Sequence, residues 1–179
     1  MEPLDREKAI EKALSLGAGR ASVIPADTVS TDAAFRDICA SDRCGLYGKC
    51  WVCPPDIGEI GELMERLRAF SLVLVYQKVY PLDDSFDFEG MQAAKKNFRR
   101  LTQRMRRAFP DPGVLHLGAG GCGVCRACAR REQLPCRHPE LATASLEGYG
   151  VNVSALAASA GMKYVNGQDT VTYFGAVFF

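Results

Sequence analysis

Eight cysteines, gathered into two sets of four, constrain this chain more than any other feature. The first set is Cys39, Cys44, Cys50 and Cys53, the second is Cys122, Cys125, Cys128 and Cys136, and residues 54–121 lie between them. The opening stretch, MEPLDREKAIEKAL, is charged and helix-forming and has no apolar signal core, so the expected location is the cytoplasm. In that reducing compartment so many thiols are expected to hold metal rather than to pair as disulfides.

The second set reads C-x2-C-x2-C-x7-C. Consecutive x2 spacings place three thiolates on one tight loop, as at three corners of a cube, and a more distant fourth completes the set. That is the local pattern of a bacterial-type [4Fe–4S] loop, where the fourth cysteine follows after three residues and precedes a proline. Here the last gap is seven residues, and Pro139 comes three residues after Cys136. Gly118, Gly120, Gly121 and Gly123 let the backbone approach a cluster, and Arg126, Arg130, Arg131 and Arg137 are expected to offset the thiolate charge. Zinc is the alternative, although four-cysteine zinc sites usually come as two separated C-x2-C pairs.

The first set, C-x4-C-x5-C-x2-C-P-P, is less regular. Tyr47, Gly48 and Trp51 lie among its cysteines and are expected to shield a cluster from water. Cys53-Pro54 resembles the closing Cys-Pro of ferredoxin motifs, whose thiolate often serves the other cluster, so cross-ligation between the sets stays open. Cys50 is either a ligand or a buried free thiol, since cysteine is among the most buried residue types.

Around these loops the pattern alternates helix and strand. Residues 2–17 read as a helix with Pro3 in its first turn and Gly17 as its stop. A short strand is expected over 21–24, one or two helical turns over 32–38, and a helix through Ile57, Ile60, Leu63, Leu67 and Phe70. Residues 71–80, SLVLVYQKVY, form the best strand, its first half a continuous apolar run suited to a buried central position. Met91, Ala94, Phe98, Leu101, Met105 and Ala108 mark a long amphipathic helix ended by Pro110 and Pro112. A strand over 114–117, a helix over 153–160 capped by Asn152 and stopped by Gly161, and a closing strand over 170–179 complete the reading. The expected architecture is α/β or α+β, a single-domain sandwich over residues 1–179, with a β-sheet core, flanking helices and metal clusters in the cysteine-rich loops.

With 22 basic and 21 acidic side chains the net charge is +1, so bulk charge does not point to nucleic acid, and no apolar run is long enough for a membrane span. The basic residues are not evenly spread. Lys95, Lys96, Arg99, Arg100, Arg104, Arg106 and Arg107 follow one another on the long helix with no acidic residue among them. That stripe is either an ordinary solvated face or a dock for an acidic, flavodoxin-like or ferredoxin-like redox partner. His138 is a loop histidine or a partner to a cluster sulfur, and His116 reads as structural. Gly118 to Gly121 lacks the G-x-G-x-x-G spacing of a nucleotide loop. Ser145 and Glu147 fit a polar site or a helix start equally well. No nucleophile, base and orienter combine into a hydrolase set.

C-x4-C-x2-YG-x2-W-x-C-P-P at residues 39–55 and C-x2-C-x2-C-x7-C-R-H-P at residues 122–139 together resemble an uncharacterised family of predicted metal-binding proteins. Its members are bacterial and archaeal, are filed as a domain of unknown function and are common in anaerobes. S-L-E-G-Y-G-V-N-V at residues 145–153 is similar to that family's Ser-x-Glu-x-x-Gly-hydrophobic-Asp-Val segment, with Asn152 where the family has Asp. The resemblance implies Cys39, Cys44, Cys53, Cys122, Cys125, Cys128 and Cys136 as ligands. Cys50 stands where the family carries other residues, which leaves the first site with three thiolates and an iron open to further chemistry. The expected function is an iron–sulfur protein with two [4Fe–4S] clusters, an electron carrier or accessory to an anaerobic redox enzyme. The alternatives are a zinc-binding structural module and an enzyme built on that open iron.

Overall fold

The computed structural model describes residues 5–179. The start of the first expected helix, including Pro3, lies outside them. Within them the helix α1, Arg6–Ser15, is capped by Asp5, whose carboxylate accepts from the Lys8 N–H at 3.2 Å. Gly17 follows at φ 105°, a conformation open to glycine, and turns the chain into β1, Arg20–Pro25. α2, Phe35–Ala40, is short and carries Cys39 near its end. α3 spans Ile60–Arg68, β2 Leu72–Pro81 and α4 Phe88–Ala108. β3, Leu115–Gly118, β4, Ala144–Ser145, α5, Val153–Ser159, and β5, Thr170–Phe178, complete the chain.

The strands form one sheet in the order β1-β2-β5-β3-β4. Every neighbouring pair is antiparallel except β3 and β4, which are parallel. β2 is central and buried on both faces, which explains its unbroken apolar run. Its residues alternate between two cores. Val73 and Val75 face a layer of α3, α5 and the turn around Tyr149, while Leu74 and Tyr76 face α1 and α4. β5 alternates likewise, with Phe174, Ala176 and Phe178 on the first side and Val177 on the second.

Helices on both faces of a mostly antiparallel sheet make this an α+β fold, as the sequence pattern leads one to expect. α4 supplies Phe98, Leu101 and Met105, each at most 1% exposed, and burying each such side chain is worth about 1.5–3 kcal/mol. Tyr76 lies across the sheet from Gly175, where a side chain would collide with its ring.

Element boundaries differ from the periodicity reading, most clearly at α4 and α3. α4 begins at Phe88 rather than Met91, because the Asp87 carboxylate caps it by accepting from the Gly90 N–H at 2.7 Å. α3 begins at Ile60, since residues 54–57 are held in turns that follow the first cysteine loop. β4 was not legible at all: two residues are too short to carry a period.

Candidate metal centre

The first cysteine loop is shaped by its own polar residues. Asp42, at φ 50°, accepts from the Tyr47 N–H at 2.9 Å and pairs with the Lys49 ammonium at 2.7 Å. The Gly48 N–H donates to the Pro54 carbonyl at 2.8 Å, closing the loop just before a cis Pro54–Pro55 bond. The second loop leaves the end of β3, at the sheet edge where β4 pairs.

Several contacts then join the loops. The Trp51 indole N–H donates to the Leu134 carbonyl at 2.8 Å, and the Arg130 guanidinium lies 5.2 Å from the centre of the Trp51 ring. Arg130 also pairs with Asp56 at 2.6 Å, with the Asp56 side chain only 12% exposed. Leu46 packs against Gly121 so closely that any side chain there would collide with it, and the Cys53 sulfur would stand 3.7 Å from such a Cβ. Trp51, expected as a shield, thus also fastens one loop to the other.

A cavity of about 150 Å³ lies between the loops. Cys122, Cys125, Cys128 and Cys136 line it, and so does Cys50 from the first set. The Cys50 thiol is buried. It lies close to the Cys53 thiol, the Cys122 backbone N–H and the Cys128 thiol. Cys39, Cys44 and Cys53 are not part of that cavity wall, but Cys44 lies close enough to Cys39, and both lie close enough to Cys53, to add to the rise in the Cys39 and Cys53 pKa values. The fold therefore brings all eight cysteines to one end of the molecule, in a group of five and a group of three joined at the Cys50–Cys53 contact.

Electrostatics separates these thiols. The hydrogen bond from Cys53 draws the Cys50 pKa below the ordinary thiol value, and the same bond with burial drives Cys53 far above it. Burial also raises Cys39 and Cys122. Protons on these sulfurs must leave when a metal enters, so metal uptake is coupled to proton release.

Cations surround the site. Arg126 and Arg131 line the cavity as the sequence suggests, whereas Arg137 instead pairs with Glu132 at 3.2 Å. Other cations come from sequence-distant elements. Arg99 of α4 lies flat over Gly123, where a Cβ would fall 2.6 Å from its Nε, and Lys95 lies over Gly120. Arg106 sits near Cys122 and donates to the Glu140 carbonyl. Arg36, beside Cys39, donates to the Gly58 carbonyl at 3.0 Å. The loop glycines thus admit cationic side chains as well as close backbone. Nothing in the local sequence signals those helix-to-loop contacts.

The remaining candidates fall into place around this centre. His138 lines the cavity with 48% of its side chain exposed, 3.8 Å from Glu140. His116 is buried under α4 and bonds the Phe109 carbonyl at 2.9 Å, a structural role as expected. The Ser145 hydroxyl accepts from the Gly148 N–H at 2.9 Å and holds the turn that carries Glu147, whose burial raises its pKa.

All eight candidate donors are soft thiols, which suit iron or zinc. Among the described residues no three Cys, His, Asp or Glu side chains already close on a point suited to one metal ion. The five-cysteine cavity instead holds about five times the roughly 30 Å³ that one water occupies in the liquid, room for a group of several atoms. The residues present fit a thiolate-held metal centre. No helix among the described residues is long and apolar enough to cross a membrane.

No curated protein and no solved structure matches the chain. The model of one family, described as "Predicted metal-binding protein (DUF2284)", matches residues 22–179, which include every cysteine, both loops and the whole sheet except the first two residues of β1. The chain belongs to that family of predicted metal-binding proteins.

Proposed function

We propose that this protein holds two iron–sulfur clusters of the [4Fe–4S] type and works as an electron carrier or accessory to a redox enzyme. The observation that carries this reading is the five-cysteine cavity, roomy enough for a polynuclear group and ringed by cations. Cys122, Cys125, Cys128 and Cys136, with Cys50 beside them, would hold one cluster, and Cys39, Cys44 and Cys53 the other. When bound, such clusters supply reversible one-electron transfer.

The protein's own residues set the conditions for that role. Arg99, Arg126 and Arg131 lower the cost of gathering thiolates in a partly buried place. Trp51 and Leu46 pack the two loops against each other. The close approach of the Cys50 and Cys53 thiols brings the two groups together. On the outside, the exposed cations of α4 offer an acidic redox partner a complementary surface next to the second loop.

Protein purified without oxygen is expected to show visible absorption that bleaches on chemical reduction. It should then pass electrons to an acidic acceptor protein at a rate that falls as salt is added. A colourless preparation containing zinc, or salt-independent transfer, contradicts the proposal.

A further inference from the structure

α4 carries its cations around more than a flat docking stripe. Lys96, Arg100, Arg104 and Arg107 recur every three or four residues, and with Arg99 they line an open cavity of about 570 Å³. Its other walls are Gln103, Leu141 and, from the second cysteine loop, Cys122, Gly123 and Val124. That volume is within the range of small-molecule sites, roughly 300–1,000 Å³. No carboxylate lines it.

Among the described residues these five cations form no ion pair with a carboxylate. The ion pairs among the described residues join other side chains, and none of them uses a cation of this cavity. Arg100 meets only Asn97, and Arg104 donates to the Leu16 carbonyl. Arg99 is half-buried, pressed over Gly123, and its Nε is buried with no hydrogen-bond partner. A buried guanidinium N–H without an acceptor is costly, and five like charges on one wall repel one another. An anionic ligand would offset the repulsion among these cations. Guanidinium groups match phosphate and carboxylate oxygens in paired hydrogen bonds.

We infer that this cavity binds a small polyanion with clustered phosphate or carboxylate oxygens and holds it against the second cysteine loop. The cavity is walled by α4 on one side and by Cys122, Gly123 and Val124 of the loop on the other, so a small anion can touch both at once. The site stands whether the neighbouring thiols hold iron or zinc. Arg99 anchors the ligand at the cysteine loop, and Arg100, Arg104 and Arg107 close around its outer charges.

The test is calorimetric titration of the metal-loaded protein with inorganic pyrophosphate and, separately, with citrate, the metal content being measured on each sample. One of the two is expected to bind saturably, and the one that does assigns the ligand as phosphate-type or carboxylate-type. Arg99→Gln and Arg100→Gln should each weaken that binding by about tenfold or more, while Arg6→Gln on α1 leaves it unchanged. Arg100 is exposed, so its variant reports on binding even if Arg99→Gln disturbs the loop. Failure of both anions to bind overturns the inference, as does equal binding by all three variants. So does saturable binding of a polyglutamate peptide alone, which would mark the surface as a protein dock. Metal content separates these failures from failure of the iron–sulfur reading, which shares Arg99 and Cys122 with this cavity but is read out by iron and sulfide rather than by anion binding.

Discussion

Cys50 is the residue whose surroundings say most. By spacing alone it belongs with Cys39, Cys44 and Cys53, yet its sulfur meets Cys122 and Cys128 and lines their cavity. No local pattern reports this, because the contact joins positions some 70 residues apart. Cys50→Ser is therefore expected to alter the spectrum of the second centre more than that of the first, which it touches only through Cys53, with Cys39→Ser doing the reverse. Changes in the opposite assignment would refute the grouping.

His116 gives a residue-scale prediction of another kind. Its Nε2–H donates to the Phe109 carbonyl, Nδ1 is buried without a partner, and Arg106 is nearby. Burial lowers its pKa from 6.5 to about 4, and Arg106 adds to the shift. The folded protein then binds fewer protons here than the unfolded chain, so this contribution to stability is complete above pH 6.5. It is lost as pH falls toward 4, on the order of 3 kcal/mol in full. Denaturant unfolding of wild type and His116→Leu at several pH values checks it. The variant should be less stable at neutral pH but lose less on acidification, and parallel curves would contradict the account.

At the scale of elements, those with a strong period were legible in the sequence. β2, β5 and α5 lie where apolar spacing and cap residues put them, α4 does so beyond its first turn, and Asn152 caps α5 by accepting from the Ala155 N–H at 3.0 Å. The two cysteine loops were legible as loops, but not their docking, which depends on Leu46, Trp51, Asp56 and Arg130. Gly121 is the point where the two loops touch most closely. Gly121→Ala is expected to force Leu46 away and cost about 1–3 kcal/mol of stability. The larger effect should be on metal, with the content of both centres falling because their loops share this contact. Full metal content in that variant would mean the loops hold metal independently. Thermal unfolding and metal analysis of the same sample give both answers.

At the scale of the whole molecule, the sheet order carries the argument. The crossing from β2 through α4 to β3, and the return of β5 between them, set α4 over the end of β3. That placement delivers Lys95, Arg99 and Arg106 to a cysteine loop far from them along the chain. The sequence alone made the basic stripe and the cysteine sets separate features, since composition and period carry no information about which helix covers which loop. Their union at one end of the fold gives a thiolate centre its compensating charge, and it is what the redox reading requires. The direct test is iron, zinc and acid-labile sulfide per chain on protein purified without oxygen. Two clusters predict about eight iron and eight sulfide with little zinc; zinc without sulfide would contradict the account and leave the cysteines a structural role.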